Sequence, residues 1–364
     1  MTEPYMAYAI QSKTYGAPTR ADIKKNLENV CKQIDGCMYI SDADYPAKLV
    51  ALPEGALQGF YDEHSRMDSV EICRKIAITL PGEESDVLAE TAKKWGIYII
   101  VPAKVIEPEI IPDRFFNTVF IIDPQGNIIH RYRKSRVFTL EASTTPYDVY
   151  DLWLEKVGKD PEAFFPVVDT PIGKIGTLLA FDGKFPEASR ALALNGADII
   201  YRGSELEYHK NLGYWEVMNR SHALSNCCYV VAPNNGPKFY DTNEGNPSMT
   251  GSVGGGSMVV NYRGQIMSEV KNVNISYAAA MINIDELRSY REKSSFYTLP
   301  YLEPELWSFV YSSASKRVPS MTKNRYISHP VPEYNARKKM NDDVKRKWLE
   351  NSSELSEEEA KDLT

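Results

Sequence analysis

No stretch of this sequence is apolar for long enough to serve as a signal h-region or a membrane span, and its opening, MTEPYMAYAI, is acidic. A cytoplasmic protein with no membrane partner is the expectation. Positive charge is not in surplus either. The 42 Lys and Arg are outnumbered by 49 Asp and Glu, the formal net charge is −7, and the two signs interleave along the chain. That distribution argues against a nucleic-acid partner. Cysteine is scarce: the five, Cys31, Cys37, Cys73, Cys227 and Cys228, form no CxxC pair, and the five histidines show no HxxxH spacing. Neither a disulfide framework nor a metal site is expected. Each cysteine reads instead as a small buried apolar residue, Cys227 and Cys228 most clearly.

What the chain does have is bulk and pattern. Its 364 residues, 43% hydrophobic and 25% charged, have the composition of an ordinary soluble globular protein, which excludes disorder, collagen and coiled coil as overall classes. Tyr5 to Gln11 reads as a strand, and Thr19 with Asp22 makes a capping-box-like helix start. Ile23, Leu27, Val30, Cys31 and Ile34 then recur at helical spacing. KLVAL is a short continuous apolar run of the kind buried on both faces of a sheet. A helix with Val87, Leu88, Thr91, Ala92 and Trp95 on one side stops at Gly96, and the strand IYIIVPA follows. TVFIIDPQGNIIHRY is a hairpin pattern, FFPVVDTPIGKIGTLLAF a pair of strands, and Pro186 to Asn195 a helix. Ala197 to Tyr201 is a further strand, and a helix with Tyr214, Val217, Met218 and Ser221 on one face feeds CCYVVAPN. A second Gly-turned hairpin, GGSMVVNYRGQIMSEV, and the strand YAAAMINI complete the series.

Linkers and charge runs are missing between Tyr5 and about Leu287, so this span reads as one α/β domain with mixed sheets and helices outside. The two hairpins, each flanked by parallel-type units, suggest two similar halves packed sheet to sheet. From residue 294 to 345 the chain is aromatic and Pro-punctuated, an arm expected to pack on the domain or on a neighbouring subunit. Residues 346–364 read as an acidic, solvated tail.

Charge interrupts the apolar logic at four places: Glu54 at the end of KLVALPE, Lys134 in RYRKSRVF, Glu141 seven residues on, and Asp182 to Glu187 after a buried strand. A charge at the mouth of a buried strand is costly unless paired or working, because stripping one partner from a buried pair costs about 3–5 kcal/mol. Strand ends are also where α/β folds place their sites.

LPEGALQGF, GNIIHRYRKSRVF and GKIGTLLAFDGKFPEASRALALNGADII, in this order, resemble the three motif regions of the nitrilase superfamily, the carbon-nitrogen hydrolases. The likeness runs from about Tyr5 to Arg291 and, with the long C-terminal arm, leans toward the aliphatic amidase and formamidase branch. It implies an α/β fold, a four-layer α-β-β-α sandwich over residues 1–293 with a C-terminal extension, and a Glu-Lys-Cys site with no metal or organic cofactor. Glu54 would be the general base. Lys134 and the backbone N–H of Phe181 would hold the oxyanion. Glu141 would orient the lysine and substrate.

The nucleophile position falls on Ala180, and a methyl group cannot form an acyl-enzyme. Either the cysteine of an enzyme has been replaced or the chain is a natural pseudoenzyme that binds a ligand or partner. Retention of Glu54 and Lys134, charges costly to keep buried, favours the inactivated enzyme. Linear amide hydrolysis is the expected chemistry, with nitrile and N-carbamoyl hydrolysis as enzymatic alternatives. Tyr61, Phe138, Phe181 and the segment Arg202 to Glu205, Glu205 included, are the candidate pocket walls for a small amide. Tyr147 to Ala163 is a candidate lid. The resemblance and the apolar arm imply a homo-oligomer, a dimer or a larger even assembly.

Overall fold

The computed structural model describes residues 2–41, 45–205, 213–247, 254–317, 320, 322–329, 331 and 334–353. Fourteen strands lie among them. In chain order they are β1 (Tyr5–Gln11), β2 (Thr14–Tyr15), β3 (Ala47–Ala51), β4 (Tyr98–Ile106), β5 (Phe115–Ile122), β6 (Ile128–Arg133), β7 (Val167–Thr170), β8 (Gly173–Leu179), β9 (Ile199–Gly203), β10 (Tyr229–Ala232), β11 (Lys238–Phe239), β12 (Met258–Val260), β13 (Ile266–Glu269) and β14 (Ser276–Ile282). Two six-stranded sheets have the orders β14-β1-β3-β4-β5-β6 and β13-β12-β10-β9-β8-β7. Each is parallel at its centre and antiparallel at its rims. The two halves are thus alike.

Side-chain alternation along the strands decides the layering. Ala7, Ala9, Leu49, Ala51, Ile100, Val119 and Ile121 join the core shared with Ile175, Ile199 and Val230 of the second sheet. Their neighbours Tyr8, Ile10, Val50, Ile99, Val101 and Phe120 point the other way, onto Val30 and Ile34 of helix Ile23–Ser41 and Leu88 and Ala92 of helix Glu83–Trp95. Helices Pro186–Leu194 and Tyr214–Asn226 cover the second sheet. This is the expected α-β-β-α sandwich. The capping box is present too, with Thr19 N–H donating to Asp22 Oδ2 at 3.0 Å. Cys227 and Cys228 are buried. Among the described residues, no helix is long and apolar enough to cross a membrane, and no group of three His, Cys, Asp or Glu could hold a metal ion.

Two helix faces differ from the expectation. Val87 is exposed, and so are Tyr214 and Val217; the inward face of Tyr214–Asn226 is Trp215, Asn219, His222, Ala223 and Asn226. Polar residues face inward because they have partners there. Asn219 accepts from Arg202 at 2.9 Å, His222 Nε2 meets the Gly183 carbonyl at 3.0 Å, and Asn226 donates to Ser189 at 3.0 Å. An apolar count assigns such a helix the wrong face.

Tyr147 to Ala163 is an anchored block. Trp153 is fully buried in a satellite core with Ile110, Ile111, Phe116 and Val149. Asn324 of the C-terminal segment straps it, donating to the Tyr147 carbonyl at 3.0 Å and to Asp151 at 2.7 Å. The arm contains helix Pro304–Arg317, which touches the domain through Tyr311 and Glu187 at 2.5 Å and leaves Leu306, Phe309 and Val310 exposed. Helix Tyr334–Ser353 runs across the 345/346 boundary between arm and tail, and residues 354–364 of the tail lie outside the described residues.

Candidate active site

Glu54 follows β3 of the first sheet in a loop fixed from the second. Asn235 donates to its backbone carbonyl at 2.6 Å, and Tyr201 of β9 donates to the Leu52 carbonyl at 2.6 Å. Lys134 follows β6, where its N–H bonds the Asn117 carbonyl at 2.8 Å, and its side chain is 1% exposed. Its ammonium donates to Glu54 Oε1 at 2.8 Å and to Glu141 Oε1 at 2.5 Å. Asn117 of β5 bridges the same carboxylates, reaching Glu54 at 2.9 Å and Glu141 at 3.4 Å. Glu141 also accepts the Phe138 N–H at 3.0 Å. Burial alone would lower the Lys134 pKa, but Glu141 and Glu54 together hold it above the ordinary lysine value. The Glu54 carboxyl is raised, first by burial and then by Glu141, with Lys134 opposing.

Ala180 opens the turn between β8 and helix Pro186–Leu194, at φ 43°. Left-handed backbone costs a residue with a Cβ about 1–2 kcal/mol, so this elbow is held by its surroundings. Asp182 does much of the holding. Its carboxylate accepts from Ser135 N–H at 3.1 Å, Ser135 hydroxyl at 2.8 Å, Arg136 N–H at 2.7 Å, Tyr132 hydroxyl at 2.7 Å and Leu179 N–H at 3.2 Å. The elbow is thereby tied to the segment that carries Lys134. From beneath, fully buried Arg202 reaches the Ala180 carbonyl at 3.5 Å, its pKa pushed down to about 9 by burial. Gly183 leaves room for that guanidinium: a methyl group there would overlap it. Gly183→Ala is expected to destabilise the fold by about 1–3 kcal/mol, read as a lower denaturant midpoint.

The remaining wall candidates divide into two groups. Phe138 and Phe181 meet with ring centroids 5.6 Å apart. Tyr61 stacks obliquely on Tyr240 at 5.1 Å, while Glu205 ion-pairs with buried Lys238, whose ammonium lies 5.3 Å from the Phe60 ring centroid. Burial pushes Lys238 down to about 8, against the pull of Glu63 and Glu54. Close by, Asp62 ion-pairs with Lys104 of β4.

Glu63 and Glu141 line a small shared cavity of about 10 Å³. Burial, then Asp62, Glu141 and Glu54, push the Glu63 carboxyl from its ordinary 4.5 up to about 8, with Lys104 opposing. The folded state therefore holds a proton that the unfolded chain releases near pH 4.5, and stability falls as pH rises from there to about 8. Glu63→Gln removes this slope. The variant is expected to match the parent near pH 4 and to exceed it at pH 8 by on the order of 2–4 kcal/mol, measured by urea unfolding across the range.

Asn117, Lys104, Glu63, Lys238 and Arg202 were not singled out for roles in the sequence, although Arg202 lies in a proposed wall segment. A usable signal existed for three: FFNTVF, VPAKVI and IIYRG each place a polar side chain inside an otherwise apolar strand.

Residues 9–292 match the carbon-nitrogen hydrolase family. The chain belongs to it. A probable hydrolase, nit2, of Schizosaccharomyces pombe is 31% identical over 207 residues, covering 55% of this chain and 70% of that protein. A formamidase of Bacillus cereus strain Q1 is 30% identical over 232 residues, covering 63% of this chain and 62% of the formamidase. Among solved structures, Saccharomyces cerevisiae Nit3 of the nitrilase superfamily superposes with a TM-score of 0.61 at 21% identity, over 80% of this chain and 95% of Nit3. An amidase from Nesterenkonia sp. AN1, solved as a double mutant with acrylamide, gives 0.56 at 19% identity over 79% and 95%. In this carbon-nitrogen hydrolase, Glu54, Lys134 and Glu141 are hydrogen-bonded together while the elbow carries the methyl group of Ala180.

Proposed function

We propose that this carbon-nitrogen hydrolase has the site of a linear-amide hydrolase, stopped at substrate binding because Ala180 stands where the thiol would act. The observation that carries the reading is the Lys134 ammonium, locked between Glu54 and Glu141 on a segment that Asp182 fastens to the Ala180 elbow. Such a buried cation is preorganised to stabilise a developing oxyanion without reorganising at the moment of reaction. The formamidase relatives and the amidase neighbour support an amide as the compound bound. In that amidase, a double mutant with cysteine changed to alanine and a glutamate changed to glutamine was solved in complex with acrylamide, a precedent for amide binding without the thiol.

With cysteine at position 180, the chemistry would run through a thioester. Glu54 takes the thiol proton as sulfur attacks the amide carbon, and Lys134 with the Phe181 N–H receives the oxyanion. The C–N bond then breaks, with Glu54 returning the proton to the departing nitrogen. Water, deprotonated by Glu54, cleaves the thioester and frees the carboxylic acid and the thiol. Ala180 cannot make the first bond. The test is Ala180→Cys with ammonia release measured on formamide, acetamide and longer amides. A folded variant that binds amides but releases no ammonia from any of them would overturn the reading in favour of a ligand-binding protein.

A further inference from the structure

A cavity of about 490 Å³ adjoins the elbow, and none of Glu54, Lys134 and Glu141 lines it. Its lining comes from three distant parts of the chain: the segment just past Lys134, the elbow, and the C-terminal arm with helix Tyr334–Ser353. Four of the lining side chains are aromatic, Phe138, Tyr147, Phe181 and Phe185. Phe181 meets both Phe138 and Phe185 with centroids 5.6 Å apart, so the rings form one continuous surface. The volume is in the range of small-molecule sites, about 300–1,000 Å³.

The charge lining this cavity is unbalanced. Arg136, Arg325 and Lys345 face a single carboxylate, Asp148. Lys345 is largely exposed and has its own partner in Asp342 at 3.2 Å. Arg136 lies over the Tyr147 and Phe185 rings at 5.4 and 5.8 Å and donates to the Ser135 carbonyl at 2.9 Å. Arg325 is different. Its guanidinium lies over the Tyr326 ring at 4.8 Å, but its side chain is only 10% exposed, Asp148 is no closer than 3.7 Å, and its Nε and Nη1 have no hydrogen-bond partner among the described residues. Asp148 is itself engaged, accepting the Thr145 N–H at 3.0 Å.

A buried guanidinium with unmade hydrogen bonds is costly, and an anionic oxygen is the group that satisfies it best. The aromatic surface beside it asks for a flat apolar body. We propose that this cavity binds an aromatic monocarboxylate, with Arg325 holding the carboxylate and the Phe138, Phe181 and Phe185 rings packing on its ring. A monoanion fits better than a dianion, because Asp148 already places one negative charge at the site. The proposal stands on these side chains and does not require the amidase reading. It does bear on it, since Phe138, which lines the cavity, donates its backbone N–H to Glu141.

Two sources share this chemistry: a free aryl carboxylate, or the far end of an amide seated at Lys134. Calorimetry on the full chain with phenylacetate, and with neutral 2-phenylethanol for comparison, tests the site. Phenylacetate is expected to bind at least tenfold more tightly than 2-phenylethanol. Arg325→Met is expected to abolish that preference while leaving 2-phenylethanol binding unchanged. Val344→Trp, which fills the cavity from the arm, is expected to remove binding of both and serves as the check where Arg325→Met fails to fold. Equal affinities for the two probes, or phenylacetate binding unaltered in either folded variant, would overturn the proposal. Titration of phenylacetate with acetamide present separates the sources. Competition assigns the cavity to the amide's own remote group, and simultaneous binding assigns it to a separate carboxylate. Should acetamide itself not bind, the amide reading fails while the phenylacetate result still decides the cavity.

Discussion

Ala180→Cys is expected to release ammonia from linear amides at least about 10⁴-fold faster than the parent chain, since nucleophile and base act as a unit and loss of either costs several orders of magnitude. Three physical requirements are already met in the parent. The elbow is held at φ 43° by Asp182 and Arg202, so a thiol there would leave from a fixed backbone. The ammonium that would receive the oxyanion is buried and charged. Glu54, the proposed base, has a pKa raised by burial, which moves it from the ordinary glutamate range toward neutrality, where a general base works best. Activity should accordingly fall on the acid side as Glu54 takes up its proton, at a pH above that of an ordinary glutamate. Adding Glu54→Gln to Ala180→Cys should return the rate to the parent's background. A double variant that stays active would remove Glu54 from the mechanism while leaving the thiol in it.

Lys134→Met is expected to destabilise the fold by about 3–5 kcal/mol, because it strands Glu54 and Glu141 as buried carboxylates without the ammonium they share. Asn117 bridges them, but an amide cannot neutralise charge. The loss should show as a lower urea midpoint at pH 7 and should shrink as pH falls, since the stranded carboxyls, now with still higher pKa values, take up protons in the folded state before they do in the unfolded chain. Combining Lys134→Met with Glu54→Gln and Glu141→Gln is expected to recover most of the stability, because uncharged partners of similar volume no longer carry the desolvation cost. A Lys134→Met chain as stable as its parent at pH 7 would mean that the trio is not charged as drawn.

Much of the architecture was legible because burial writes itself locally. A strand between a helix layer and a second sheet has apolar residues on both sides, as in KLVAL and IYIIVPA, and those runs fell where the strands are. Apolar spacing picks the wrong face of helix Tyr214–Asn226 for a related reason. Its inward side is polar, and only the positions of Arg202, Gly183 and Ser189 reveal that Asn219, His222 and Asn226 have partners there. Helix Pro304–Arg317 lies in the aromatic, Pro-punctuated arm, and its Leu306, Phe309 and Val310 side chains are exposed.

The sequence by itself determined the family through three ordered motifs, and it marked Glu54, Lys134 and Glu141 as the charged residues to follow and Ala180 as the proposed nucleophile position. Only the tertiary structure decided which charges meet. Glu54 and Lys134 are 80 residues apart, and they pair because β3 and β6 belong to one sheet whose loops open at the same end. The same holds for Asn117 between the two carboxylates, Arg202 beneath the elbow, and Arg325 brought from the C-terminal arm to a cavity beside Phe181. Local pattern records whether a side chain is buried, a property of its own strand or helix. Which partner it finds depends on how distant segments close on one another, and that is settled only when the sheets and the arm pack.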